Sequence, residues 1–321
     1  MQSFTDFSVI FENHFNKRHF PGTPQNLYDA AQYILQIGGK RVRPVAVLMA
    51  NELFSDVHRD AYEVATAIEL FHNFSLIHDD IMDKAPLRRG MDTVHTKYGD
   101  STALLAGDVM LVAAYDAINK INATHLHKII SLFNKTAKEV CEGQQMDMDF
   151  EKKELVSFEE YLQMITLKTS VLLAASLQMG AILGGAGLGN QEHLYEFGKN
   201  LGIAFQVQDD YLDAFGDPLK FGKQVGGDIL ANKKTFLMIH TLAVATPAQR
   251  AMLEALIAGN DPQKVDKVLQ LFRDCKAGEW AESLKEKYYG MAMHHLEETA
   301  VLRSRKSELQ QLAKYLLQRE S

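Results

Sequence analysis

Two aspartate triplets dominate the chemistry open to this chain. They are Asp79, Asp80 and Asp83 in HDDIMD, and Asp209, Asp210 and Asp213 in QDDYLD, 209 − 79 = 130 residues apart. On a helix, positions i and i+4 share a face, so Asp79 lies over Asp83 and Asp209 over Asp213. Like charges at that spacing repel by a few tenths of a kcal/mol, so something cationic should compensate. Oxygen donors without a partnering His or Cys suit magnesium, which keeps waters and substrate phosphates in its shell. With 21 Asp in 321 residues, DDxxD is expected by chance roughly 0.09 times. Finding it twice, each time at the end of an apolar run (Phe71 to Ile77, Leu201 to Val207), argues against a merely solvated acidic face.

Basic residues cluster beside glycines. Lys40, Arg41 and Arg43 follow Gly38 and Gly39, Arg88 and Arg89 come five residues after Asp83, and Lys223, Lys233 and Lys234 lie downstream of the second triplet. The chain has 41 acids against 34 bases, a net charge of −7, which excludes a generally basic nucleic-acid binder. In such an acidic protein the basic patches point to bound anions. Arg offers a planar fork to phosphate oxygens and Lys a mobile point charge. No GxxxxGK[ST] loop is present, so the phosphates need not be a nucleotide's. His78 reads as helix packing, His294 and His295 as surface, and Cys141 as buried packing. Met146, Met148 and Met164 read as core. Two cysteines, Cys141 and Cys275, cannot form a disulfide scaffold, and free thiols fit a reducing cytosol.

These residues must be carried by helices. None of the seven prolines falls between Pro86 and Pro218, and residues 45–85, 108–142 and 144–179 lack both proline and glycine. Ala67, Leu70, Phe71, Phe74 and Ile77 recur at helical spacing, and no alternating runs call for a sheet. The expectation is an all-α fold, a bundle of long helices forming a single domain over 1–321, with terminal helices in 281–321. Residues 169–191 carry no Asp, Glu, Lys or Arg, but Ser176, Gln178 and the glycines at 184–189 favour a buried helix and a turn over a membrane span. The first residues show no basic, then apolar, targeting pattern, so a cytoplasmic location is expected.

The chain resembles the trans-isoprenyl diphosphate synthases (polyprenyl synthetases) from about residue 38 to 236. The resemblance rests on GGKRVRP, DDIMDKAPLRRG, Lys168–Thr169, FQVQDDYLD, Gly222–Lys223 and Asn232–Lys233 in that order. It implies helices around a deep cavity, usually in a homodimer. It also implies head-to-tail condensation of isopentenyl diphosphate with an allylic diphosphate such as dimethylallyl, geranyl or farnesyl diphosphate. Asp79 and Asp83 would hold magnesium on the allylic diphosphate and Asp209 a further ion, three in all, with Asp80, Asp210 and Asp213 in support. Arg88, Lys168, Lys223 and Lys233 would contact the allylic diphosphate, and Lys40, Arg43, His72 and Arg89 isopentenyl diphosphate. Thr169 and Gln206 would sit near the developing cation, and Asp147 fits a polar cavity-lining position.

Product length in such enzymes depends on what closes the pocket below the first triplet. Phe74, five residues before Asp79, lies about 7.5 Å down the helix, Ser75 is small, and Phe71 lies a turn lower. An aromatic there without an insertion resembles the geranylgeranyl diphosphate synthases, with farnesyl diphosphate as the alternative product. A terpene cyclase would carry a different second metal motif and would not need Lys40 and Arg43. A non-catalytic partner subunit would typically have lost one triplet.

Overall fold

The computed structural model describes residues 1–216 and 226–318. The chain is all-α, apart from a short hairpin that the sequence pattern does not announce. The hairpin pairs Leu87–Arg88 with Met91–Asp92, antiparallel, in a two-stranded sheet. Arg89 and Gly90 between them both take positive φ, 53° and 77°. That is the backbone a two-residue hairpin turn demands, and it accounts for the glycine in RRG.

Two compact units emerge from the internal contacts. The first comprises Met1–Lys135, Ala175–Tyr195 and Thr299–Glu308, and the second Thr136–Ala174, Glu196–Glu298 and Leu309–Ser321. In the first, helix α4 (Arg59–Met82) packs against α3 (Val42–Glu52) and α6 (Asp100–Ile118), with α1 (Phe4–Phe15) on α3 and α2 (Gln25–Gln36) on α6. Small residues allow the close approach. Gly180, in α9 (Val171–Leu183), faces the backbone of Val47, and a side chain on Gly107 of α6 would come within 2.5 Å of the His78 ring.

The 45–85 stretch is not one helix. Polar side chains interrupt it without glycine or proline: Asn51 Oδ1 accepts from the His58 N–H at 2.8 Å, and His58 Nδ1 caps α4 by accepting from the Asp60 N–H. Such local hydrogen bonds compete with the helix ladder. Likewise Ser157 and Glu160 form a capping box at the start of α8 (Phe158–Ile165).

In the second unit, α7 (Ala123–Lys152) from Thr136 onward, α8, and α10 (Leu188–Phe215) from Glu196 onward contribute to an apolar core that includes Phe150, Tyr161, Val207, Phe236, Leu253, Val268, Phe272 and Leu284. Phe236 is its hub, edge-on to Tyr161 at 4.6 Å and near Phe158 at 5.7 Å. The expected terminal helices are Ala277–Glu298 and Arg303–Leu317. Asp100–Ile118 and Phe158–Leu183 are long and apolar enough to cross a membrane, but 72% of the latter's apolar window is buried within the protein. Cys141 is exposed, not packed, because it falls on the outer side of α7; Cys275 is the buried thiol.

Candidate active site

In the first unit, Asp79 and Asp80 occupy the last turn of α4 and Asp83 caps its C-terminus. The helix dipole is negative there, so three carboxylates are placed where charge is least welcome. The Arg88 guanidinium answers part of this. Its Nε and Nη2 each donate to the Asp80 carboxylate at 2.8 Å, and Nη2 lies 3.5 Å from Asp79 Oδ2. The Asp80 side chain is 3% exposed, against 21% for Asp79. Burial pushes the Asp80 carboxyl up, and Arg88 pulls it back down. Asp80 therefore engages Arg88, while Asp83 is exposed at the helix end.

The basic cluster of the same unit is built on a turn with three positive φ values: Gly38 at 83°, Gly39 at 158° and Arg41 at 50°. Gly39 lets Arg89 approach, since a side chain there would lie 2.8 Å from Arg89 Nη1. Arg43 Nη1 lies 3.2 Å from His72 Nε2. Arginine stays protonated, so it donates, Nε2 accepts and the imidazole proton resides on Nδ1. Burial, reinforced by Arg43, Arg89, Arg88 and Arg41, holds the His72 pKa well below its usual range. Arg43 Nε is buried without a hydrogen-bond partner. Lys40 is exposed beside this cluster. The four residues expected to hold isopentenyl diphosphate are thus on one unit, three of them in mutual contact or electrostatic reach.

Below the first triplet, Phe74 is 9% exposed and packs against Phe71 (ring centroids 5.5 Å) and edge-on to His78 (4.7 Å). Ser75 turns its hydroxyl back to the His72 carbonyl. His78 Nε2 lies 3.1 Å from the Leu104 carbonyl oxygen, and the ring covers Gly107.

In the second unit, Lys168 and Thr169 lie within a π-helical segment, Thr166–Ser170, between α8 and α9. Such bulges concentrate at functional sites because the extra residue turns side chains out of register. Lys168 Nζ donates to Asp147 Oδ2 at 2.6 Å. Thr169 Oγ1 donates to Gln206 Oε1 at 3.4 Å, and Gln206 Nε2 donates to Asp210 Oδ1 at 3.0 Å. Tyr161 donates its hydroxyl to Asp210 Oδ2 at 3.0 Å. Asp210 is buried, and burial together with Asp228 raises its pKa to about 7 against the hydrogen bonds from Gln206 and Tyr161. Asp209 and Asp213 are half-buried near the end of α10, and Asp213 Oδ2 accepts from the Asp228 N–H at 3.0 Å. Lys233 Nζ is 3.6 Å from Asp228 Oδ1. Lys223 lies outside the described residues.

Three contributors escaped the sequence reading. Gly143 permits α7 to meet the π segment, since a side chain there would come within 2.7 Å of Lys168 Cα. Tyr161 holds Asp210. Glu69, buried, joins Arg41 and Asn73. Glu69 alone had a legible signal, as the one acid in the apolar stretch 64–77.

The donor set suits a hard divalent cation. Each triplet offers oxygen atoms, and its crowding at a helix C-terminus calls for positive charge. Among the described residues no three His, Cys, Asp or Glu side chains converge into a closed cage.

The profile of the polyprenyl synthetase family matches residues 24–275. The geranylgeranyl diphosphate synthase of Saccharolobus solfataricus is 36% identical over 302 residues, covering 92% of this chain and 91% of that protein. The short chain isoprenyl diphosphate synthase of Methanothermobacter thermautotrophicus is 36% identical over 299 residues, covering 93% and 92%. A solved geranylgeranyl pyrophosphate synthase superposes over 100% of both chains with a TM-score of 0.94 and 40% identity.

Proposed function

The chain belongs to the polyprenyl synthetase family, and from that premise we propose that it condenses isopentenyl diphosphate with allylic diphosphates to make geranylgeranyl diphosphate. The observation that carries this reading is the placement of both aspartate triplets at the C-terminal ends of long helices, where the helix dipole adds to their negative charge and favours bound cations.

Asp79, Asp83 and Asp209 would hold magnesium, three ions in the complete complex, with Asp80, Asp210 and Asp213 orienting them through Arg88, Tyr161 and the Asp228 amide. Magnesium, when bound, supplies positive charge to the allylic diphosphate. Arg88, Lys168, Lys223 and Lys233 bind that diphosphate and stabilise it as it departs. Lys40, Arg43, His72 and Arg89 hold the second diphosphate, which carries the attacking double bond. Thr169 and Gln206 present oxygen dipoles towards the carbon that becomes positive. The allylic carbon–oxygen bond breaks first, the isopentenyl double bond then attacks the resulting cation to form the new carbon–carbon bond, and a proton passes from the condensed chain to the released diphosphate. No side chain acts as nucleophile.

Product length rests on Phe74, whose ring is held by Phe71 and His78. The twenty-carbon product is in keeping with the names of the relatives. The chain is read as a single polyprenyl synthetase domain over 1–321, in keeping with the family match over residues 24–275. The active form is a cytoplasmic homodimer, a reading supported by Leu104, Leu105 and Val112 of α6, which are 50–59% exposed.

The test is product analysis by mass spectrometry after incubation with isopentenyl diphosphate, magnesium and each primer from dimethylallyl to farnesyl diphosphate. A dominant twenty-carbon diphosphate supports the reading. A fifteen-carbon stop overturns the role of Phe74, and no elongation overturns prenyl transfer.

A further inference from the structure

Glu69 is 3% exposed, on the buried side of α4. A carboxylate is rarely left in such a place unless it is paired. It accepts from Arg41 Nη1 and from Asn73 Nδ2, the latter at 2.8 Å. Asn73 also donates to the Glu69 carbonyl oxygen, which locks the two side chains together one turn apart. Arg41 has three further constraints. Its Nη2 donates to the Leu35 carbonyl oxygen at 2.9 Å, its guanidinium lies 5.4 Å above the Phe15 ring, and its backbone is left-handed. Left-handed backbone is costly for a residue with a Cβ and persists only when surrounding contacts impose it.

Arg41 is the last residue of the Gly38–Arg41 turn and the N-cap of α3. Lys40 precedes it and Arg43 occupies the first turn of α3. The electrostatics converge on the same carboxylate. Glu69 supports the charged state of both Arg43 and Arg89, while Arg89 opposes that of Arg43, and Arg88 and Arg41 oppose that of Arg89. Asp80 is the other acid acting on Arg89. Glu69 thus sits among cations that would otherwise repel while no diphosphate is bound.

We propose that Glu69 is a positioning residue for the isopentenyl diphosphate subsite: by gripping Arg41 it fixes the glycine turn that presents Lys40 and Arg43. The inference rests on the prenyl-transfer reading and deepens it. Glu69 does not touch substrate. It acts through Arg41, and it has no such link to Arg88, whose carboxylate partners are Asp80 and Asp79. Its loss should therefore weaken one substrate and spare the other.

The experiment compares wild type, Glu69→Gln, Glu69→Asp and the double variant Arg41→Met with Glu69→Met. Steady-state kinetics give KM for each substrate and kcat, and calorimetry gives the affinity for isopentenyl diphosphate alone. Glu69→Gln keeps the shape and the Asn73 contact but removes the charge. Its KM and Kd for isopentenyl diphosphate should rise about tenfold or more, the range for a charged buried hydrogen bond. The allylic KM should stay within about twofold, and Glu69→Asp should recover part of the loss. The double variant refills the site with apolar volume, so it should fold and still bind isopentenyl diphosphate weakly. An active wild type beside a Glu69→Gln enzyme with an unchanged isopentenyl diphosphate KM overturns the inference alone. So does an equal rise for both substrates. A wild type that elongates no primer overturns the prenyl-transfer reading instead.

Discussion

Replacing Gly143 by alanine probes whether the π segment must hold Lys168 where it is. An added Cβ would press hardest on the Lys168 backbone nitrogen and would lie 2.7 Å from Lys168 Cα and 2.8 Å from Leu167 C, whereas ordinary contact begins at 3.4 Å, so the backbones must part by more than 3.4 − 2.7 = 0.7 Å. All three atoms are main chain and cannot rotate aside. Overpacking of this kind costs about 1–3 kcal/mol, offset by roughly 0.5–1 kcal/mol from removing a glycine inside a helix. The net loss, up to about 2.5 kcal/mol, should lower Tm by up to a few degrees and leave the protein folded. Activity should suffer more. Asp147 follows Gly143 by one helical turn and accepts from Lys168 at 2.6 Å, so the same shift disturbs the ammonium proposed to meet the allylic diphosphate. Misplacement on this scale costs roughly tenfold to hundredfold in kcat/KM. The assay varies the allylic substrate at fixed isopentenyl diphosphate, with thermal melts alongside. Gly189→Ala is the control, because nothing lies within 4 Å of its added Cβ. A Gly143→Ala enzyme within twofold of wild type and with unchanged Tm would refute the reasoning.

Three further outcomes are expected. Phe74→Ala should lengthen the product beyond twenty carbons, read by mass spectrometry; an unchanged product would mean that the ring only packs between helices. Asp79→Asn should cut kcat at least about a hundredfold, and EDTA should abolish turnover until magnesium is restored; persistent turnover in EDTA would sink the metal assignment. Glu160, paired with Lys153 and capping α8, has its pKa lowered from 4.5 to about 2. A depressed carboxyl pKa contributes stability that is present above pH 4.5 and lost as pH falls towards 2. Glu160→Gln keeps the capping box and loses the charge, so the stability gap between wild type and variant, followed by urea unfolding, should shrink over that window. A gap that stays constant with pH would contradict the assignment.

The all-α class and the site's raw materials were legible because both are local. Helical spacing of Ala67, Leu70, Phe71, Phe74 and Ile77, the scarcity of proline, and the i, i+4 pairs Asp79–Asp83 and Asp209–Asp213 depend only on neighbouring residues. RRG was legible as chemistry but not as a hairpin, because two-residue strands leave no alternation to read.

Tertiary structure decided which partners the buried member of each triplet meets. Asp80 turns to Arg88 eight residues on, and Asp210 is buried against Tyr161, 49 residues away in sequence. It also placed Lys168 in a π segment seated on Gly143, and set Glu69 beneath the glycine turn through Arg41. A residue's type and spacing state what it can bind; which partner it meets is settled by packing between elements far apart in the chain, where burial forbids an unpaired charge.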